Sequence, residues 1–481
     1  MIPRSIRFAF AGVCACLALA STAAGAADTF GSVHKPFAAT SPWNSRPVAP
    51  VLGDTTIPKS DYFPNVGENA FAVPVFSTDA QDPPVTIYGV SDPNGVFDPD
   101  EERTRSVTLP HWPPGVTPAS GSDGHAEVVD TAMGVVHSFW QLRKTANRWT
   151  AALYAWAPLD GRGWGDPAHY YQGARAAGVP SIGGLIRKHE VDDGDTMYRH
   201  ALAASLTFNG LASDPVYIYP ATSADSGAAK QNSGRIPEGA LLMLPAGFDV
   251  QQIGTPALRK VAETLKVYGT YVVDRNEGTP YFIYAEIGSG LFLMKRGWNN
   301  DVATDLDKIR VGLRQVVSTG GWLDGNGKPY TPEKIFNVLS MRGPWQVESG
   351  DAPGNYETWK QAVVFPKTSA TRTVMVNFNG RALTQTTWAL PAAGASYKLS
   401  ASTTGGAKLR IVLKTKVEGK LLYDSGELAD GQSKTFAWPA DSTVVTYAIS
   451  GVGQPSSVRA TLIAVDRKVD LAPTTGPAHG G

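Results

Sequence analysis

Ten prolines fall between Phe37 and Arg105: Pro42, Pro47, Pro50, Pro58, Pro64, Pro74, Pro83, Pro84, Pro93 and Pro99. Proline lacks a backbone N–H and its ring clashes with the preceding helical turn, so no helix can run through this stretch. What remains between the prolines are short β-prone runs, such as Phe71 to Phe76 and Val85 to Val90, joined by loops. The same punctuation continues along the chain, with 50 Gly and 35 Pro in 481 residues and only 18% charged residues. That is the texture of a turn-rich β protein.

From Gly124 to Trp156 the pattern predicts a three-stranded antiparallel meander: Ala126 to Asp130, Val135 to Leu142 and Trp149 to Trp156. Helical periodicity is confined to Ala168 to Ala177, Pro256 to Tyr268, Thr304 to Val317 and Thr331 to Leu339. Thr255-Pro256 and Thr331-Pro332 each pair a capping hydroxyl with proline at the first helical position. Between the helices, Ala201 to Phe208, Val216 to Tyr219, Leu241 to Leu244, Thr270 to Asp274, Tyr281 to Ile287 and Leu291 to Met294 read as strands. Beyond the Gly/Pro/Asn-rich segment 349–355 the helices stop, and seven short strands between Val374 and Val465 fit a β-sandwich. The expected fold is therefore α+β but predominantly β. An antiparallel-sheet body with a few helices (28–347) is followed by a C-terminal β-sandwich (356–471) and a disordered Pro/Gly/Thr tail (472–481).

The first 27 residues read differently. Arg4 and Arg7, an apolar run from Phe8 to Ala20 and a small-residue series ending at Ala27 have the order of a secretory signal peptide. Both cysteines, Cys14 and Cys16, lie inside it, so the expected mature protein has no disulfide, thiol nucleophile or zinc-thiolate site. Removing two arginines from a chain with 43 basic and 43 acidic residues leaves a slightly acidic protein, and no Lys/Arg block offers the footprint a nucleic acid requires. After residue 27 no apolar stretch reaches the roughly 20 residues needed to cross a bilayer. The expectation is a soluble secreted or periplasmic protein with no membrane partner.

No Walker A, G-x-S-x-G, H-E-x-x-H or Rossmann glycine cluster is present, so function must be read from weaker constellations. The densest is Gly183-Gly-Leu-Ile-Arg-Lys-His-Glu190, followed by Tyr198-Arg-His200. In it Glu190 can serve as a general acid or base, Arg187 can bind an anionic group, Tyr198 can act as an acid, and His200 can relay a proton near neutral pH. The competing reading is that Arg187 and Glu190 are a structural ion pair and His200 a satisfied histidine. A second constellation places His125, Glu127 and His137 on a hairpin beside Trp140, where imidazole and carboxylate together suit a divalent metal. Polar surface residues on a hairpin are the plainer reading, and no metal or other cofactor is expected. Asp274, at a strand end beside the loop Arg275-Asn-Glu-Gly278, stands where a catalytic partner is often mounted. The oxygen-rich loop Asp92, Asn94, Asp98, Asp100 and Glu101 lacks the glycine and glutamate of an EF-hand and reads as solvated.

The segments Phe37-Ala-Ala-Thr-Ser-Pro-Trp-Asn44, Gly183-Gly-Leu-Ile-Arg-x-x-Glu190, His200-Ala-Leu202, Tyr217-x-Tyr-Pro-Ala221, Pro237-Glu-Gly239 and Lys266-Val-Tyr-Gly269 through Asp274 together resemble a family of exported bacterial proteins, mostly without assigned function. The sequence departs from that pattern at Val273-Asp-Arg-Asn-Glu-Gly278, where Ala-Asp-Asn-Gly is expected. The resemblance implies export and a shared β-rich body, and supplies no reaction. Twelve Trp, 17 Tyr and 17 Phe in such a protein suggest sugar rings, which stack on flat aromatic faces. The expected activity is cleavage of a polysaccharide. Hydrolysis would use Glu190 and Asp274; elimination on a uronate polymer would use His200, with Tyr198 as acid and Arg187 on the sugar carboxylate. Arg187, Tyr198, His125 and Trp140 are the expected substrate contacts, and a non-catalytic carbohydrate-binding or cell-envelope protein is the alternative.

Overall fold

The computed structural model describes residues 29–90, 95–98, 103–146, 148–166, 169, 171–333, 337–341, 345–350, 354–376 and 391–465. The signal segment, the tail and most of the 92–101 loop lie outside the described residues. The fold is predominantly β with a few helices. At its centre is a seven-stranded sheet in the order Val51–Leu52, Arg314–Ser318, Leu241–Met243, Thr270–Asn276, Leu202–Thr207, Tyr281–Tyr284 and Asn65–Gly67. The expected antiparallel body is in fact mixed, because Leu202–Thr207 runs parallel to Thr270–Asn276 and Tyr281–Tyr284 runs parallel to Asn65–Gly67. Parallel neighbours need a crossover, and the first of these contains the helix Pro256–Val267.

Both faces of the sheet are buried. Leu202, Ala204, Leu206, Val272, Tyr281 and Ile283 pack under the helices Pro256–Val267 and Asn300–Gly312 through Leu258, Val261, Leu265, Leu306 and Ile309. Ala203, Tyr271, Val273, Phe282 and Tyr284 pack on the other side with Trp43, Trp164, Val129 and Val136. A β-bulge interrupts this alternation between Ala204 and Ser205, where the partner changes from Val272 to Asp274. The extra residue, Val273, brings Asp274 opposite Ser205 and so onto the same side as Phe282.

On that side lies a six-stranded sheet in the order Val75–Ser77, Ala126–Asp130, Val135–Trp140, Leu153–Pro158, Val96–Asp98 and Arg103–Arg105. The first two strands of the expected meander form as read. The third divides at Ala152: Arg148–Ala151 pairs with Val85–Gly89 in a separate four-stranded sheet, while Leu153–Pro158 returns to Val135–Trp140.

The helix read over Pro256 to Tyr268 is present, but Thr255 does not cap it; its hydroxyl and amide both donate to Asp305 Oδ2 at 2.9 Å. The helix read from Thr304 begins at Asn300, capped by the Asn299 side chain, and ends at Gly312, after which the chain becomes a strand. Residues 171–177 are not helical, since Arg175 bridges Val179 and Gly173 lies so close to the chain that a Cβ there would meet Pro180. The described residues of Thr331 to Leu339 are also non-helical. Val216 to Tyr219 and Leu291 to Met294 contribute isolated bridges in place of strands.

The C-terminal unit is a sandwich of two five-stranded sheets. It contains the strands expected from Val374 onward and three earlier ones, Gln346–Ser349, Asn355–Glu357 and Ala362–Phe365. Its core also takes in Val338, Leu339, Met341 and Trp345, so the unit begins near residue 337, ahead of the expected boundary at 356. Asn337 secures that entry by accepting from Leu462 N at 2.8 Å.

Candidate functional site

A cleft of about 980 Å³ opens between the seven-stranded and six-stranded sheets. Ser205, Asp274, Asn276, Phe282 and Tyr284 form one wall, and His125, Trp140, Leu153 and Phe97 the other. Arg275 lies on the same strand as Asp274 and Asn276, and the loops supply Asp123, Tyr171, Asp225, Tyr62 and Phe71. His125 and Trp140 share a wall because Phe139 stands opposite Ala126, which sets the next pair on the opposite face.

Asp274 is held by Arg175, whose Nη1 donates to Oδ2 at 2.9 Å from a buried position stacked 4.1 Å from the Tyr284 ring. Asp225 accepts from Arg275 N at 2.9 Å and receives its guanidinium at 3.8 Å, while Asp225 N donates to the buried Glu238 Oε1 at 3.2 Å. Three carboxyls therefore share one low-dielectric region. Burial and the neighbouring Asp274 push Asp225 up to about 7. Burial and the charge of Asp225 push Glu238 well above its usual range. Burial also raises Asp274, against the opposing charge of Arg175. Like charges this close cannot all ionise at neutral pH, so the cluster retains protons there. Across the cleft, burial with help from Arg175 holds His125 well below the usual histidine range, so its imidazole is neutral.

Of the sequence-predicted residues, Asp274, His125 and Trp140 meet in this cleft; Glu190, His200, Arg187 and Tyr198 do not line it. His200 precedes the strand that places Ser205 opposite Asp274, and five residues of extended chain span roughly 16 Å. Glu190 Oε2 lies 3.1 Å from His200 Nε2 and accepts from Arg187 N at 2.8 Å. Burial opposes ionisation, but the charge of His200 and these hydrogen bonds outweigh it and draw Glu190 down to about 2. Arg187 pairs with the buried Glu286 at 2.8 Å, in place of the Glu190 side chain. Tyr198 is buried in the helix-side core.

The proposed metal set separates for a register reason. Ser138 stands opposite Glu127, which puts His137 on the other face, where its Nδ1 lies 3.0 Å from the Tyr154 hydroxyl. Glu127 instead accepts from Ser138 Oγ at 3.0 Å and Ser181 N at 2.8 Å. Among the described residues no group of three or more His, Cys, Asp or Glu side chains is placed to hold a metal ion.

Three of the six segments of the family resemblance pack against one another. Trp43 stacks on Trp164 at 5.3 Å and packs so tightly on Gly183 and Gly184 that a Cβ at either would overlap its ring; Gly184 also has φ +68°. Ala201 N donates to Trp43 O at 2.7 Å, and Ala203 N to Gly184 O at 2.8 Å. Sequence reasoning missed Arg175, Asp225 and Glu238. Glu238 stands in the quoted Pro237-Glu-Gly239 motif, which was an available signal; Asp225 sits in a small-residue loop without one.

No known sequence family and no curated protein matches the chain. Among solved structures it is similar to accessory secretory proteins 1, 2 and 3 of Streptococcus pneumoniae (TM-score 0.18, 13% identity, 27% of this chain and 96% of that chain). It is also similar to the glycosylation-associated Gap123 complex of Streptococcus agalactiae (TM-score 0.18, 14% identity, 28% and 45%). A third is a family 29 carbohydrate-binding module complexed with cellulohexaose (TM-score 0.18, 10% identity, 27% and 89%). At these TM-scores the likeness carries no argument about this chain. Among the described residues no helix is long and apolar enough to cross a membrane.

Proposed function

We propose that the protein is an exported glycoside hydrolase that cleaves a polysaccharide in the cleft between the two sheets. The observation that carries this reading is the pair Asp225 and Asp274, two cleft carboxyls in contrasting settings. Asp225, pushed up to about 7, retains the proton a leaving glycosidic oxygen needs. Asp274, raised by burial but opposed in this by its bond to the permanently charged Arg175, is the partner carboxyl assigned the negative charge that supports an oxocarbenium-like transition state or activates the attacking group. Trp140, Phe71, Tyr62 and Tyr284 offer the apolar faces on which sugar rings stack.

The charge of the walls favours hydrolysis over elimination. Asp123 and Glu277 line the cleft beside the carboxyl cluster, and among the described residues Arg275 is the single lining guanidinium, already engaged with Asp225 and the Ser226 carbonyl. A uronate polymer would bring its carboxylates against this acidic lining. Binding without cleavage is the second reading, and the mutual pairing of Arg175 with Asp274 and Arg275 with Asp225 favours it, since each charge already has a partner.

The experiment is a screen of purified protein on a polysaccharide panel, read for new reducing ends and for absorbance of unsaturated sugars. Reducing ends without absorbance, abolished in Asp225→Asn, support the hydrolase. Absorbance would overturn it in favour of a lyase, and retention on a glycan with neither signal would favour the binding reading. Amino-terminal sequencing of exported protein tests export; a chain still beginning at Met1 would refute removal of the leader.

A further inference from the structure

Beyond the lining Phe71, Tyr62 at 65%, Phe63 at 50% and Trp298 at 58% relative exposure stand beside the cleft. They are not loose. Phe63 and Trp298 pack edge to face with ring centroids 4.7 Å apart. Trp298 Nε1 donates to Asn300 Oδ1 at 2.7 Å, at the first residue of the helix Asn300–Gly312, whose start is fixed by the Asn299 side chain accepting from Asp301 N and Val302 N. Tyr62 N donates to Gly278 O at 2.9 Å, and the Tyr62 ring lies so close to Gly278 that a Cβ there would approach it to 2.8 Å. Gly278 has φ +84°, a second reason for glycine at this position.

The ledge is continuous with the cleft. Tyr62 is a lining residue, Phe63 is its chain neighbour, and Glu277 and Thr279 on either side of Gly278 are lining residues too. Packing against the two main cores of the body does not use Phe63 or Trp298. Exposed rings with fixed orientation at the mouth of a groove present flat apolar faces beside polar handles, which is what a saccharide needs from a protein surface.

We propose that Phe63 and Trp298 form a distal subsite that stacks sugar rings of a neutral polysaccharide whose neighbouring units lie in the cleft. The identity of this occupant rests on the glycan reading of the cleft. A neutral chain is specified because the acidic cleft walls disfavour an anionic polymer, while stacking on Phe63 and Trp298 needs no charge.

The test compares full-length wild type, Trp298→Ala, Phe63→Ala and Asp225→Asn in native gels containing soluble xylan, galactan, arabinan or β-glucan, with melting temperature and elution volume measured in parallel. The expected result is that one polysaccharide retards the wild type and also the non-cleaving Asp225→Asn, and that Trp298→Ala and Phe63→Ala weaken retardation relative to wild type about fivefold or more with unchanged melting and elution. Should the wild type be retarded without cleaving the polymer, the hydrolase reading fails while the ledge stands on the loss in Trp298→Ala. Undiminished retardation of the two ledge variants overturns the subsite. So does no retardation of wild type by any of the four polymers, and a shift to smaller apparent size in Trp298→Ala would reassign the ledge to contact between copies of this chain. Trp298→Phe, which keeps an aromatic face, should restore most of the retardation; if it behaves as Trp298→Ala, stacking is not the cause.

Discussion

Glu190→Gln separates a structural carboxylate from a catalytic one. Glu190 Oε2 serves two donors, Arg187 N at 2.8 Å and His200 Nε2 at 3.1 Å, and the Glu190 and His200 side chains are only 14% and 15% exposed. Glutamine keeps an oxygen for the Arg187 amide but removes the charge facing His200. A charge-assisted hydrogen bond contributes about 1.5–3 kcal/mol and a neutral one about 0.5–1.5, so the loss is about 1–2 kcal/mol. At roughly 2–4 °C per kcal/mol for a domain of this class, melting falls by about 2–8 °C. Glu190→Ala, which strips both bonds, should cost about 3 kcal/mol.

The pH dependence has a definite sign. Burial opposes protonation of His200, but Glu190 outweighs it and raises the imidazole above 6.5, so its contribution is complete below pH 6.5 and disappears as pH rises through the raised value. Glu190 is lowered from 4.5 to about 2, so its contribution is complete above pH 4.5 and is lost as pH falls toward 2. The gap between wild type and Glu190→Gln should therefore be widest between about pH 4.5 and 6.5 and narrow on either side, measured by calorimetry. Turnover per folded molecule should be unchanged. A variant with wild-type melting and turnover reduced a hundredfold would refute the structural assignment and return Glu190 to the chemistry.

Asp225→Asn should lower turnover by roughly 10²–10⁴-fold with little change in melting, because it removes a general acid. In the wild type the rate should fall as pH rises through about 7, where Asp225 loses its proton, and a rate flat from pH 5 to 9 would contradict this. Burial raises Glu127 from 4.5 to about 8, so ionising it opposes folding increasingly across that window; Glu127→Gln should match wild type near pH 5 and be the more stable at pH 8 by thermal melting. A fragment beginning at residue 337 should fold alone by circular dichroism and thermal melting. One beginning at residue 372 should not, since it lacks three strands and the buried Val338, Leu339, Met341 and Trp345.

Local texture determined much of this protein. Prolines excluded helix between Phe37 and Arg105, and alternation marked the hairpin Ala126–Asp130 and Val135–Trp140 and most sandwich strands, because a strand with one buried face writes its period directly into the chain. Asp274 was singled out as a carboxylate at a strand end, whereas the strand continues through it to Asn276. The tertiary structure decided which charges meet. A single bulged residue turned Asp274 toward the cleft, one position of register separated His137 from Glu127, and a crossover of more than sixty residues brought Thr270–Asn276 beside Leu202–Thr207. Burial and Asp274 raise Asp225, and burial and Asp225 raise Glu238, which no local pattern encodes. The Gly183-Gly184 and Glu190 segment looked chemical because glycines beside ionisable groups suit active sites. Its physical use here is to seat Trp43 and pin a short turn, a role that depends on a partner about 140 residues earlier in the chain.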